Sequence, residues 1–172
     1  WLRRVFSRSV VMEVSSLRRE NVDSGNSNGA PRGMQELVLW YVSYSRNDAE
    51  KSTLELVRIL RASGKYNIWI DTNLESGTES WKNDIAKVIE QCPLFLLVLS
   101  PDVHESKYIR EEVTYSKRVG KDRLYMKSKE THLQFGISNM QGLRDHLTFE
   151  DKFGEMLVAV KEEFDRRKIP RI

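Results

Sequence analysis

The stretch PLFLLVLS, residues 93–100, is apolar at every position from Leu94 to Leu99. Successive side chains of a strand point to opposite faces. A strand with one wet face would therefore show a polar residue at every second place. This one shows none, which predicts a strand covered on both sides, as in a parallel sheet sandwiched between helices. It is also far shorter than the roughly 20 apolar residues that a membrane-spanning helix needs.

The segments around it alternate in kind. LVLWYVSYS (37–45) is a strand-like run ending in small polar residues. Asp48 is expected to cap a helix with a stripe of Leu56, Val57 and Leu60 that stops near Gly64. YNIWID (66–71) predicts a second short strand, followed by a turn-rich loop, TNLESGTES (72–80). Ser80 is expected to cap a helix whose Trp81, Ile85, Val88 and Ile89 recur at helical spacing. After PLFLLVLS come a helix at SKYIREEVTYSKR (106–118), a strand at RLYMK (123–127) and a weaker strand at GLRDHLTF (142–149). A last helix carries Phe153, Leu157, Val160 and Phe164 on one face. Such alternation predicts an α/β fold of right-handed crossovers with a parallel sheet. Ligands of these sheets bind beyond the carboxyl ends of the strands. The loops after Ser45, Asp71 and Ser100 should share that edge, beside the start of the helix with Glu111 and Glu112.

Charge and rare residues narrow the function. Of 28 basic and 25 acidic residues, six arginines and three acids fall in residues 1–34, leaving 22 of each sign in 35–172. A neutral folded part does not support a nucleic-acid footprint. Cys92 is the single cysteine, so no intrachain disulfide can form, and beside an apolar run it reads as a small buried hydrophobe. His104, His132 and His146 lack metal-ligand spacing. The first strand is not followed by GxGxxG, and GKS or GKT occurs nowhere, which argues against a dinucleotide fold of that type and a Walker nucleotidase. The sequence begins at Trp1, which predicts a segment of a longer or processed chain. Residues 1–20 are Arg- and Ser-rich, 21–35 read as a flexible linker, 36–168 as the domain and 169–172 as a tail.

Four pieces in order carry a family resemblance: VSYSRND (42–48), IWIDTNLESGTESW (68–81), LFLLVLSPD (94–102) and SKYIREEV (106–113). They resemble the first box, the loop after the second strand, the third strand and the following helix of a Toll/interleukin-1 receptor (TIR) domain. The resemblance spans about residues 36–168. It implies a flavodoxin-like three-layer fold, with a mostly parallel five-stranded sheet and helices on both faces. Asp71 and Trp81 look most like those of bacterial and NAD-cleaving members.

In those enzymatic members an essential glutamate lies four residues after an aromatic on this helix. The matching pair here is Tyr108 and Glu112, and positions i and i+4 share a helix face. Ile109, Val113 and Ser116 mark the inward stripe, so Glu112 borders it while Glu111 lies further out, near Lys107 and Arg110. The resemblance implies Glu112 as the catalytic carboxylate. Tyr44, Ser45, Arg46, Asp71 and Tyr108 would contact the substrate, Tyr108 by stacking where the family more often has Trp. Each has a plainer reading: a surface Arg46, an Asp71 that caps its loop, a Glu112 favoured by the helix dipole. Trp81 reads as core packing. The loop 72–80 would gate the cleft, with Gly77 supplying backbone freedom.

Two functions follow from the resemblance, and it does not choose between them. The first is an NAD+ glycohydrolase or cyclase of immune or cell-death signalling. It needs no prosthetic group, takes NAD+ as substrate and releases nicotinamide with ADP-ribose or a cyclic variant. The second is a non-catalytic module that signals by homotypic TIR–TIR association. Both imply a cytoplasmic domain without membrane insertion.

Overall fold

The structure, a computed structural model, describes residues 39–64, 66–71, 79–133 and 136–167. The N-terminal segment and linker, Gly77 with most of its loop, and the C-terminal tail lie outside the described residues.

Among the described residues ten elements follow one another: β1 (Leu39–Tyr44), α1 (Glu50–Ala62), β2 (Asn67–Ile70), α2 (Glu79–Gln91), β3 (Leu94–Leu99), a 3-10 turn (Pro101–His104), α3 (Lys107–Arg118), β4 (Asp122–Lys127), β5 (Gln141–Gly142) and α4 (Phe149–Arg166). The strands form one sheet in the order β2-β1-β3-β4-β5, and every pairing is parallel. The strand order reverses at β1, which lies between β2 and β3. That makes the carboxyl end of β1 the switch point where sheets of this kind open a crevice.

Two apolar clusters explain why β3 is hydrophobic on both parities. Leu94, Leu96 and Val98 face α1 and α4 together with Trp40, Leu56, Leu60, Val160 and Phe164. Phe95, Leu97 and Leu99 face α2 and α3 together with Tyr41, Ile85, Ile89, Ile109 and Val113. All six residues of β3 are buried. Full burial of a large apolar side chain contributes about 1.5–3 kcal/mol, so the central strand holds both layers to the sheet. Trp40 and Phe164 stack across the first cluster with ring centroids 3.5 Å apart, and Tyr41 stacks between Trp69 and Phe95 in the second.

The helix that Ser80 is expected to cap begins at Glu79, so Ser80 lies inside α2 and not at its cap. The other helix ends follow local chemistry, with one exception. Ser106 Oγ accepts from the Ile109 N–H at the start of α3, and Thr148 Oγ1 accepts from the Asp151 N–H at the start of α4. Gly64 closes α1 with φ +65°, a conformation that costs glycine little. The exception is Asp48. The helix after β1 starts one residue later, with Ala49 at the cap position and no side-chain capping bond. Asp48 instead accepts from Ser100 Oγ at 2.6 Å and from the Asp102 N–H at 3.0 Å, tying the end of β1 to the turn after β3. A short acceptor next to two strand ends finds better donors across the sheet edge than along its own chain.

Of the strand expected at GLRDHLTF (142–149), only Gly142 lies in β5, and Thr148 makes an isolated bridge to Lys127. Leu143 and Leu147 are buried in the first cluster, so their hydrophobicity serves a turn packed on the sheet. The last helix starts earlier than its stripe suggests, at Phe149, with non-helical φ/ψ at Lys152 marking a kink.

Candidate functional site

A cleft of about 400 Å³ opens at the switch point. Its walls come from the end of β1, from Asp71 after β2, from Trp81 on α2, from Asp102 after β3 and from the first turns of α3. Tyr44, Ser45, Arg46, Asp71, Tyr108 and Glu112 all line it. These are residues from three separate parts of the chain, so the fold alone brings them together.

The helix carrying both glutamates divides them as its geometry requires. Glu111 faces outward and pairs with Lys82 at 3.4 Å and Lys107 at 3.9 Å. Glu112 is partly buried, and Ser43 Oγ donates to its Oε2 at 2.6 Å. The Tyr41 hydroxyl is a second hydrogen-bond partner of the same carboxyl. Burial raises the pKa of Glu112 to about 7 against the pull of Ser43 and Tyr41, with nearby Asp71 adding a smaller upward push. Burial also lifts the Tyr41 phenol well above its ordinary range, so Tyr41 stays a neutral donor. A carboxyl in this state is poised to change protonation near neutral pH.

Asp71 anchors the opposite wall. Its Oδ2 accepts from Arg46 Nη2 and from Trp81 Nε1, each at 3.1 Å, and its carbonyl accepts from Tyr44 OH at 3.2 Å. Arg46 is therefore held in place by an ion pair at the rim. Ser45 turns the other way and donates to Asp102 Oδ2 at 2.5 Å, where Asn47 Nδ2 also donates at 2.9 Å. Tyr108 is 38% exposed, with its ring edge-to-face against Trp81 at 5.2 Å. This leaves an aromatic surface open for stacking on a flat ring.

Three contributors were not legible as site residues in the sequence. Trp81 packs on the second cluster, as expected, but its indole N–H also reaches Asp71 and its surface lines the cleft. Ser43 and Tyr41 sit on β1 at alternate positions on the Glu112 side of the sheet. The polar Ser43 inside an apolar strand was the available signal for a buried hydroxyl with a partner. Among the described residues, no group of three or more His, Cys, Asp or Glu side chains forms a metal-binding cluster.

The architecture matches solved structures at low identity. The TIR domain of the Toll-related receptor TRR-2 from Hydra magnipapillata aligns with a TM-score of 0.54 at 14% identity, covering 73% of this chain and 97% of that one. A Clostridium botulinum CMP N-glycosidase, BcmB, aligns with a TM-score of 0.48 at 14% identity, over 73% of this chain and 98% of that one. No curated protein sequence matches the chain. The family model of the TIR domain matches residues 41–131, from β1 through the segment after β4, which includes every residue of the cleft described above. The chain belongs to the TIR domain family.

Proposed function

We propose that this TIR domain is an NAD+ nucleosidase that cleaves the nicotinamide–ribose bond, giving nicotinamide and ADP-ribose or a cyclic variant, in cytoplasmic immune or cell-death signalling. The observation that carries the reading is the Glu112 carboxyl on the wall of the switch-point cleft, held by Ser43 at 2.6 Å and raised to a pKa of about 7. A structural glutamate in the first turns of a helix would turn to solvent, as Glu111 does.

The chemistry suits a lone carboxylate. Hydrolysis of an ordinary glycoside needs a second acid to protonate the leaving oxygen. Nicotinamide instead leaves as a neutral pyridine, taking the electron pair of the bond between its ring nitrogen and the ribose C1′. Ionised Glu112 hydrogen-bonds a ribose hydroxyl and stabilises the positive charge that develops on the ribose. Water then adds at C1′ and its proton passes to the carboxylate or to solvent. For the cyclic product, a nucleophilic atom of the same substrate takes the place of water. Bringing a pyridinium beside Glu112 favours the ionised form, so substrate binding itself lowers the carboxyl's pKa. Tyr108 supplies a stacking surface, and Asp71 holds Arg46 at the rim.

Homotypic association belongs to the same reading, since TIR domains generally self-associate. The test is nicotinamide release from NAD+ by the purified domain, titrated to high protein concentration, beside Glu112→Gln. Release that disappears in the variant, with an unchanged circular dichroism spectrum, supports the enzyme. Folded, self-associated protein that releases nothing at any concentration refutes it in favour of the non-catalytic assembly module.

A further inference from the structure

Glu112 is held against the sheet by two hydroxyls of one strand. Ser43 and Tyr41 stand two positions apart on β1, so their side chains share a face. Ser43 Oγ donates to Glu112 Oε2 at 2.6 Å, a length in the range of hydroxyl bonds to an ionised carboxylate. The Tyr41 hydroxyl bonds the same carboxyl, and its ring is stacked with Trp69 and Phe95 at centroid distances of 5.0 Å and 5.4 Å. Ser43 is 2% exposed and Tyr41 1%, so neither has surface of its own to offer a substrate.

The charged groups around the carboxyl do not duplicate this clamp. Arg46, after β1, bonds Asp71 through Nη2, and Lys82 of α2 and Lys107 of α3 pair with Glu111. Asp71, after β2, and Asp102 and Glu105, after β3, are further acids on the cleft, while His104 bonds the His132 carbonyl. Burial opposes the ionisation of Glu112 most, the two hydroxyls favour it, and Asp71 and Arg46 act more weakly in opposite directions. Satisfying two buried hydroxyls would require only an acceptor, a neutral amide included. An ionisable acceptor on a cleft wall adds a desolvation cost that satisfaction does not require. We infer that Ser43 and Tyr41 are positioning residues for the cleavage: their hydroxyls fix the Glu112 carboxylate against β1, so that its remaining lone pairs meet the ribose in one orientation. The inference rests on the reading above for the bond that is cut. It goes beyond that reading in giving two residues that do not touch substrate a part in the rate.

The test uses Ser43→Ala and Tyr41→Phe, each of which removes one hydroxyl, the second leaving the ring stack in place. Nicotinamide release from NAD+ is followed from about pH 5 to about pH 9. The titration of Glu112 itself is followed by carboxyl-carbon NMR, its signal being the one missing from Glu112→Gln. Loss of a donor to the charged form raises a carboxyl's pKa. In each variant the kinetic and NMR midpoints are expected to move up by about one unit from about 7, the advantage of a charge-assisted bond over a neutral one. On the alkaline plateau kcat is expected to fall about tenfold with KM nearly unchanged, because a loosened carboxylate meets the developing charge less well. A merely structural role lowers the melting temperature and leaves the midpoints where they were. An NMR midpoint unmoved in either variant, with an unchanged circular dichroism spectrum, therefore overturns the inference. NMR midpoints that rise while the pH–rate profile and kcat stay put overturn it as well. Turnover by none of the proteins, wild type included, refutes the nucleosidase reading instead, and the NMR midpoints alone then decide whether the hydroxyls govern Glu112.

Discussion

Replacing Glu112 by glutamine should stabilise the domain, and the gain should depend on pH in a defined way. The carboxyl has an ordinary pKa near 4.5 when the chain is unfolded and about 7 when folded. Its neutral form is thus the one the fold prefers. The stability tied to that form is fully present below pH ~4.5 and is lost as pH rises through about 7. A shift of about 2.5 units at 1.36 kcal/mol each sets the full effect near 3 kcal/mol, an order-of-magnitude figure. Glutamine keeps the shape, still accepts from Ser43 Oγ and never ionises. The stability of the variant minus that of the wild type should therefore grow by about 2–3 kcal/mol between about pH 5 and about pH 8.5. At about 3 °C per kcal/mol for a domain of this size, the melting temperatures should diverge by several degrees. Urea unfolding of both proteins at the two pH values measures it, and groups common to both cancel in the difference. A difference that stays flat with pH, or that turns against the variant at alkaline pH, would refute the claim that Glu112 is held in a desolvated pocket. The same substitution is expected to abolish nicotinamide release. Higher stability with lost activity is the outcome expected of a carboxylate desolvated for function and not for folding.

The remaining expectations concern rate and architecture. If ionised Glu112 drives cleavage, kcat/KM for the free enzyme should fall about tenfold per pH unit below its pKa of about 7 and level off above it; a plateau extending down to about pH 5 would sink that assignment. Asp48→Ala leaves Ser100 Oγ and the Asp102 N–H without their carboxylate acceptor, at a cost of about 1–3 kcal/mol read by chemical denaturation. An unaltered midpoint in that experiment would return Asp48 to the role of an ordinary solvated side chain.

Much of this molecule can be read along the chain. The run from Leu94 to Leu99 needs two apolar layers whatever the rest of the fold does, because both of its faces are hydrophobic. The spacing of Tyr108 and Glu112 puts both on one side of α3, and the neighbouring Glu111 is turned outward by the same 100° step. The four boxes that carry the TIR resemblance cover every wall of the cleft.

What the chain could not show by itself is what each polar group meets. Asp48 looks like a helix cap in sequence and becomes a clamp on the turn after β3, with partners more than fifty residues away. Ser43 lies 69 residues from Glu112, and their bond exists only because β1 ends directly beneath the start of α3. The raised pKa of Glu112 likewise belongs to no local pattern, since burial by distant elements is its largest cause. Periodicity determines which face of an element is apolar, because that depends on neighbours a few residues away. Hydrogen-bond partners and desolvation depend on strand ends that parallel crossovers bring together from far along the chain, so only the tertiary structure decided them.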